Sequence, residues 1–325
     1  MFLLVSIKEI AKKANVSVTT VSNVLNDKPN VSEATRTEIL RICNELNYYP
    51  NIMARNLKSG KTNTVMFMFS DFDRSFYLQI IKGINDCMLE HNIGIIICSH
   101  TTTQNFLQNG FVDGAIVLDK NIPDKQIIAA ANANLKIVSM GSLLNHPNIS
   151  CILTDNKSCM TELVSGLVKK GLRKFFYVGG IESTLDHQER FAAFKNVLKR
   201  AGIPFARDNY YSGDYSFRSG IRSGKLICMN ETLPDAVVCA NDDMAAGVIT
   251  AFREMRITVP RRISVSGFDG DPLLHFPENY LSTVVIPRYE MGYLSAATLV
   301  KMLNGKEQAV IRKIRAPVNW GRSTL

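Results

Sequence analysis

A chain of 325 residues, 46% hydrophobic and 21% charged, has the length and composition of an ordinary globular protein with room for two domains. Its net charge of +9 favours an anionic partner, nucleic acid before a membrane surface. No apolar run approaches the roughly 18 residues of a membrane span, the N-terminal run is too short for a signal peptide, and the seven cysteines form no CxxC pair. We therefore expect a protein of the reducing cytoplasm without a disulfide framework or a zinc site.

Three short helix patterns occupy the first fifty residues, and each begins after a serine suited to cap it. Ser6 opens a capping box, Ser17 precedes Val18 to Leu25, and Ser32 precedes Glu33 to Leu46. Only "ANVS" separates the first two patterns, which is typical of a helix-turn-helix. Apolar residues recur on one face of each pattern: Ile7, Ile10, Ala11 and Ala14, then Val21, Val24 and Leu25, then Ile39, Ile42, Cys43 and Leu46.

The second pattern leaves Thr19, Thr20, Ser22 and Asn23 facing away from its valines. Short hydroxyl and amide side chains suit phosphates and base edges, which predicts a recognition helix for a DNA major groove. A plain helical hairpin with a solvated polar face fits the spacing equally well. Charge favours the DNA interpretation, because residues 1–62 contain nine Lys or Arg against five Asp or Glu.

The run "IKEIAKKANVSVTTVSNVLNDKPNVSEATRTEIL", followed by "LNYYPNIMARNLKSGKTNTV", resembles the headpiece and hinge of the lactose/galactose repressor (LacI/GalR) family. The resemblance implies a DNA-binding headpiece over 1–49 and a hinge over 50–62. It also implies that a hinge helix, Asn51 to Ser59, enters the minor groove with Leu57 as a wedge between bases. The DNA contacts expected from helix and hinge together are Ser17, Val18, Thr19, Thr20, Asn23, Asn51, Ala54, Arg55, Leu57 and Lys58.

From Thr64 onward, short apolar runs alternate with helical patterns, which predicts an α/β core with parallel sheets. The runs are "TVMFMF", "IGIIIC", "GAIVL", "LKIVSM", "KFFYVGG", "DAVVCAN" and "RISVSGFD". A faint internal repeat predicts two lobes that face each other across a cleft. The predicted fold is a small all-α helix-turn-helix headpiece plus an α/β core of two parallel-sheet lobes over 63–325.

The resemblance adds detail to this core, since it implies the fold of periplasmic sugar-binding proteins. It places the first lobe at about 63–155 plus 289–325 and the second at about 156–284, with crossings near Asp155 and between Val284 and Tyr289. Four departures from the family pattern leave the identity of the effector open: Arg74 and Ser75, which add positive charge at the rim of the cleft, a shortened segment from Ser99 to Val112, Met140 with Gly141, and Gly270.

Polar and aromatic side chains that follow the predicted strands are the candidate ligand contacts, because ligands bind outside the carboxyl ends of parallel strands. Carboxylate, amide and guanidinium groups beside aromatic rings suit a polyol. The resemblance implies that Arg190, Asn241 and Asp269 bind the effector. Each candidate also has a structural reading, as a surface, capping or core residue. The candidates are Asp71, Phe76, Tyr77, Arg190, Asn241 and Asp269.

The chain has no GxxxxGK[ST], HExxH or GxSxG motif, so we expect neither catalysis nor a cofactor or metal. The predicted function is a sequence-specific DNA-binding transcriptional regulator, a repressor that binds a pseudo-palindromic operator as a homodimer. A small molecule in the cleft, expected to be a sugar, modulates its DNA affinity. Three alternatives stay open: the same fold controlled by a protein partner, a sugar-binding protein, and an α/β enzyme with a DNA-binding domain.

Overall fold

The computed structural model describes residues 5–48, 61–70, 72, 76–99, 111–119, 121–271, 277 and 279–325. The chain divides into two compact units, with the boundary between Thr62 and Asn63. The first unit contains the helices α1 (Ile7–Lys13), α2 (Val18–Leu25) and α3 (Glu33–Glu45).

All three helices of the first unit begin at the predicted serines. Ser6 forms both halves of a capping box with Glu9, and the hydroxyls of Ser17 and Ser32 each accept a backbone N–H from the first turn. These bonds satisfy donors that a helix start leaves unpaired. A single small core joins the helices, and its buried members are Ile10, Ala11, Val21, Val24, Ile39, Ile42 and Cys43. The apolar stripes of the sequence are therefore confirmed at these positions.

The second unit alternates strands and helices. Its helices are α4 (Phe76–Glu90), α5 (Asp124–Asn132), α6 (Asn156–Lys169), α7 (Leu185–Arg200), α8 (Phe217–Cys228), α9 (Asp242–Glu254) and α10 (Arg288–Leu303), with one 3-10 turn at Arg207–Asn209. In the described part of the chain, none of the helices is both long and apolar enough to cross a bilayer.

Among the described residues, twelve strands accompany these helices. They are β1 (Thr64–Phe69), β2 (Gly94–Cys98), β3 (Gly114–Leu118), β4 (Lys136–Ser139), β5 (Ile149–Thr154), β6 (Phe175–Val178), β7 (Tyr210–Tyr211), β8 (Ala236–Cys239), β9 (Ser264–Ser266), β10 (Thr283–Val284), β11 (Ile311–Ile314) and β12 (Val318–Asn319). The first lobe is built on a parallel six-stranded sheet in the order β11-β5-β4-β3-β1-β2, and the second on a parallel four-stranded sheet in the order β7-β6-β8-β9.

Each of the seven predicted apolar runs contains a strand, so the α/β prediction is confirmed. β11 was not predicted. Its side chains alternate between exposed and half-buried, because it lies at the edge of the first sheet, and it therefore reads as a polar segment.

The chain passes between the lobes at three places. It leaves the first sheet after β5, at Asp155, and returns to the first lobe between β10 and α10, as the resemblance implies. After β11 it crosses again, because β12 pairs with β10 and the Ser323 hydroxyl donates to the Val265 carbonyl in β9 at 2.7 Å. The assignment of the whole of 289–325 to the first lobe is therefore wrong for the last residues of the chain, whose backbone groups bond to the second lobe instead.

Candidate functional site

The α2 helix presents the predicted DNA-reading residues on one surface. Val21 and Val24 are buried, whereas Ser17, Val18 and Thr19 are exposed. Val18 has 41% of its surface exposed even though it continues the valine repeat of the helix. This apolar side chain is available to a thymine methyl group, the contact by which small apolar residues distinguish bases in the major groove.

Hydrogen bonding within α2 separates two kinds of polar residue. Ser17 accepts the Thr20 N–H at 3.0 Å, and the two hydroxyls lie 2.9 Å apart, so these residues fix the start of the helix. Asn23 is half-buried, and its side-chain amide has no partner within the described ranges. A free amide can pair with an adenine edge, so Asn23 is the better candidate for reading sequence.

The basic side chains of the headpiece fall into two groups. Lys13 pairs with Glu45 at 3.0 Å, Arg36 with Asp27 at 2.7 Å, and Arg41 with Glu38 at 2.7 Å. Lys8, Lys12 and Lys28 are exposed and form no ion pair with any described residue. Among the described headpiece cations, these three exposed lysines are therefore the best placed to neutralise phosphates.

The predicted hinge contacts with DNA belong to a part of the chain outside the described residues. Asn51, Ala54, Arg55, Leu57 and Lys58 lie outside the described residues, as does Asp71 of the predicted ligand set. The hinge contacts stay predictions based on the resemblance, and Asp71 stays a prediction based on its position after the first strand.

A cavity of about 450 Å³ lies between the two lobes of the second unit, a size that suits a small ligand. Four predicted ligand residues line it, namely Phe76, Tyr77, Arg190 and Asp269. Phe76 is half-buried and packs edge-on against Tyr77, at an interplanar angle of 88°. Tyr77 is buried with its hydroxyl 3.2 Å from that of Ser70. Of the two rings, Phe76 is therefore the more accessible surface for a ligand.

Arg190 is buried at the base of this cavity. Its Nε donates to Asn156 at 2.7 Å, and its Nη1 donates to the Ala240 carbonyl at 2.6 Å and lies 3.5 Å from Asp269. The guanidinium also stacks on the Phe268 ring at 3.7 Å. Burial opposes its charge, but the nearby carboxylates, Asp186 first and then Asp269, outweigh this effect and raise the pKa of Arg190. The cavity therefore has a fixed positive group that is held by four contacts.

The backbone of Asp269 is strained, with a φ of 122° that few residues other than glycine adopt. Its N–H donates to the Val284 carbonyl at 3.0 Å, and its carbonyl accepts the Ile286 N–H at 3.2 Å. Both partners belong to the segment that returns to the first lobe. Such strain is typical of residues held in place for function, and here it fixes the carboxylate beside Arg190.

Asn241 does not line the cavity, contrary to its predicted contact with the ligand. It is fully buried and caps α9, where its side-chain oxygen accepts the Met244 N–H at 3.1 Å. Its amide donates to the Tyr215 carbonyl at 3.0 Å. Because the side chain is fully buried and both ends of its amide bond within the protein, Asn241 positions Tyr215 and does not reach the cavity.

The neighbouring Asp242 is buried and has an unusual titration. Burial first, and then the charge of Asp269, raise its pKa to about 7. Asp242 accepts hydrogen bonds from the Thr283 hydroxyl at 2.6 Å and from the Asp271 N–H at 2.9 Å. It therefore links the start of α9 to β10, one of the segments that connect the lobes.

Most residues that line the cavity were not predicted from the sequence, and Tyr215 and Asp119 are two informative examples. Tyr215 has a φ of 68°, its hydroxyl lies 2.9 Å from that of Thr184, and its ring lies where a Cβ at Gly180 would be. No sequence signal identifies this loop residue. Asp119 is different, because it directly follows β3, and the strand-end rule that selected Asp71 would have found it.

Comparison with known proteins agrees with this architecture. Residues 6–51 match the family described as "Bacterial regulatory proteins, lacI family", and residues 164–324 match a "Periplasmic binding protein-like domain". Catabolite control protein A of Priestia megaterium is 29% identical over 309 residues, which cover 92% of this chain and 93% of the relative. The "Probable HTH-type transcriptional repressor ExuR" of Bacillus subtilis strain 168 is 30% identical over 310 residues, covering 94% and 93%.

Solved structures are similar along most of the chain. The lac repressor dimer bound to operator and the anti-inducer ONPF superposes with a TM-score of 0.82 at 23% identity, covering 99% of both chains. A sugar-binding transcriptional regulator of the LacI family from Enterococcus faecalis gives a TM-score of 0.74 at 28% identity, covering 82% of this chain and 98% of the other.

A helix-turn-helix headpiece joined to a periplasmic-binding-like core defines a DNA-binding transcriptional regulator. The similarity to named regulators extends over nearly the whole chain, not over the headpiece alone. The chain belongs to the LacI family of bacterial regulatory proteins.

Proposed function

We propose that this regulator represses transcription by binding a pseudo-palindromic operator as a homodimer, and that a sugar in the cleft changes its affinity for the operator. The observation that carries the effector part is the cavity of about 450 Å³, which combines Arg190 and Asp269 with the rings of Phe76 and Tyr215. Charged donors and acceptors bind hydroxyl groups, and aromatic faces pack against the C–H faces of a sugar ring.

The relatives support this proposal. One is named as a repressor, and one structural neighbour is described as a sugar-binding regulator. A single short recognition helix contacts few bases, so two copies on a palindrome supply the specificity that one lacks. Such a regulator acts where the bacterial chromosome is, in the cytoplasm.

The lobe arrangement supplies a route from effector to DNA. A ligand that contacts both walls of the cleft favours one arrangement of the lobes, and the change in DNA affinity is limited by its preference for that arrangement. Asp269→Ala should therefore abolish the response to effector while operator binding without effector is retained. Loss of both properties would instead show that Asp269 holds the core together.

Selection of genomic fragments by the purified full chain tests the DNA part. We expect retained fragments to share a palindrome, with half-sites spaced for a symmetric dimer. Retention without a shared motif would contradict sequence-specific recognition by the protein alone.

Asn23→Ala tests base reading within the selected operator. We expect the variant to lose about 1–3 kcal/mol of binding free energy and to lose its base preference at one position of each half-site. Binding to a set of single-base operator variants measures both effects. Asn44→Ala is the matched control, because Asn44 is an exposed amide on α3, away from the reading helix. A uniform loss across all operator variants would make Asn23 a phosphate contact.

A further inference from the structure

Carboxylates outnumber cations in the cleft. The described residues that line it include four acids, Asp119, Asp124, Asp186 and Asp269, and one base, Arg190. Arg190 is already paired with Asp269. Asp186 lies close enough to Arg190 for its charge to raise the pKa of that arginine, and Asp124 is exposed to solvent. Asp119 is therefore the buried carboxylate of the cleft that forms no ion pair with a described residue.

Among these acids, Asp119 is the one with a buried carboxylate oxygen that no described residue hydrogen-bonds. It is 94% buried, since 6% of its surface is exposed, and its Oδ1 accepts the Asn121 N–H at 2.9 Å. Its Oδ2 is buried and has no hydrogen-bond partner in the described part of the chain. Buried polar atoms are nearly always paired, because an unpaired one loses its hydration without compensation, and a carboxylate oxygen loses most.

The position of Asp119 indicates what would pair with it. It follows β3 in the first lobe and lines the cavity, whereas Arg190 and Asp269 belong to the second lobe. Rotation of the carboxylate about χ2, a soft torsion, turns an oxygen towards the cavity. A donor on a bound ligand then satisfies the oxygen that the protein leaves unpaired.

We infer that the cleft accepts a sugar without an acid group, either neutral or amino-substituted, which donates a hydrogen bond from a hydroxyl or ammonium group to Asp119. This inference rests on the proposed sugar-binding function of the cavity. A uronic acid or a sugar phosphate brings a negative charge to the buried carboxylate of Asp119, which no described lysine or arginine pairs, and is disfavoured. Because the ligand bonds to Asp119 on one wall and to Arg190 and Asp269 on the other, it also connects the two lobes.

The test uses matched sugar series with the full chain. Each of the gluco, galacto and manno series supplies a hexose, its hexosamine, its hexuronate and its 6-phosphate, and calorimetric titration measures the affinity of each. In the series that binds best, we expect the neutral or amino member to bind at least about tenfold more tightly than both acidic members, the effect of one charged hydrogen bond.

Two variants assign that selectivity to Asp119. Asp119→Asn keeps the shape and the bond to Asn121 but offers an N–H where the acceptor was, so we expect about tenfold weaker binding of the preferred sugar and a smaller preference over the acidic members. Asp124→Asn is the control, because it removes the same charge from an exposed position of the same wall and should change affinity by less than about twofold.

A thermal melt without ligand separates binding from folding. Asp119→Asn should melt at the same temperature as the wild type or higher, because it removes an unsatisfied buried charge. A lower melting temperature would give Asp119 a structural role and overturn the inference, as would unchanged sugar affinity in this variant.

The remaining outcomes separate the inference from the proposed function. If the acidic members bind as tightly as the neutral ones, the charge selection is wrong while the cleft remains a sugar site. If no member of any series binds, both this inference and the sugar effector are wrong, and operator binding, measured separately, still stands.

Discussion

Arg190→Met tests how the base of the cavity is held together. Methionine retains apolar contact with Phe268 but removes the bonds to Asn156 and the Ala240 carbonyl and the ion pair with Asp269. The Asp269 carboxylate is then buried without a counter-charge. Removing one partner of a buried ion pair costs about 3–5 kcal/mol, a large part of the roughly 5–15 kcal/mol that stabilises a domain. We expect the free energy of unfolding to fall by about 3–5 kcal/mol.

Urea denaturation of the full chain measures this loss. Trp320 is the only tryptophan and lies in the core unit, so its fluorescence reports core unfolding without a signal from the headpiece. Arg315→Met is the control, because Arg315 pairs with Glu162 at 2.9 Å on the surface. An exposed pair contributes little, so the control should leave the unfolding midpoint unchanged.

The ion pair itself is isolated by combining Arg190→Met with Asp269→Asn. If the two side chains stabilise each other, the double variant loses at least about 1 kcal/mol less than the sum of the single losses. The reasoning is refuted if Arg190→Met costs less than about 1 kcal/mol, or if the two losses simply add.

Two further predictions concern the second lobe. Gly180→Ala places a methyl group in the Tyr215 ring, so urea denaturation should show a loss of about 1–3 kcal/mol in the free energy of unfolding. In the control, Gly141→Ala, the new methyl group makes only ordinary contacts, and the loss should be less than about 1 kcal/mol. Equal losses in the two variants would contradict the overlap with Tyr215. The pKa of Asp242 is raised from 3.8 to about 7, so the folded state retains a proton that the unfolded chain releases. Its contribution to stability is present below pH 3.8 and is lost as the pH rises towards 7. The urea midpoint of the wild type should therefore fall between pH 4 and pH 8, and in Asp242→Asn it should fall less. If the midpoints of the two proteins fall in parallel with pH, Asp242 does not cause the decline.

The headpiece was predictable from sequence because its determinants are local. Ser6, Ser17 and Ser32 cap helices through bonds to residues three positions ahead, and the buried stripes follow from helical period alone. Val18 shows the limit of this rule. It continues the apolar repeat, yet it is exposed because it lies in the first turn, beyond the reach of α3.

The cleft was predictable where a residue follows a strand closely, as Asp269 follows β9, or where the family pattern identifies it, as for Arg190 within α7. Arg190 and Asp269 were found through their position after strands and through the resemblance, and both line the cavity. Asn241 satisfied the same rule but is used as a helix cap, and nothing in the order of residues separates the two uses. Tyr215 depends on a turn with positive φ and on the space above Gly180, which are properties of the folded chain.

The last residues of the chain determine when the core can be completed during synthesis. β11 adds the edge strand of the first sheet, and Ser323 joins the second sheet through Val265. Neither lobe therefore has all its sheet contacts until β11 and Ser323 have been synthesised, after the other strands of both sheets. A premature stop codon between Leu303 and Ser323 thus removes the contact that Ser323 makes with the second sheet. A stop codon before β11 also removes the edge strand of the first sheet, so both lobes are then incomplete.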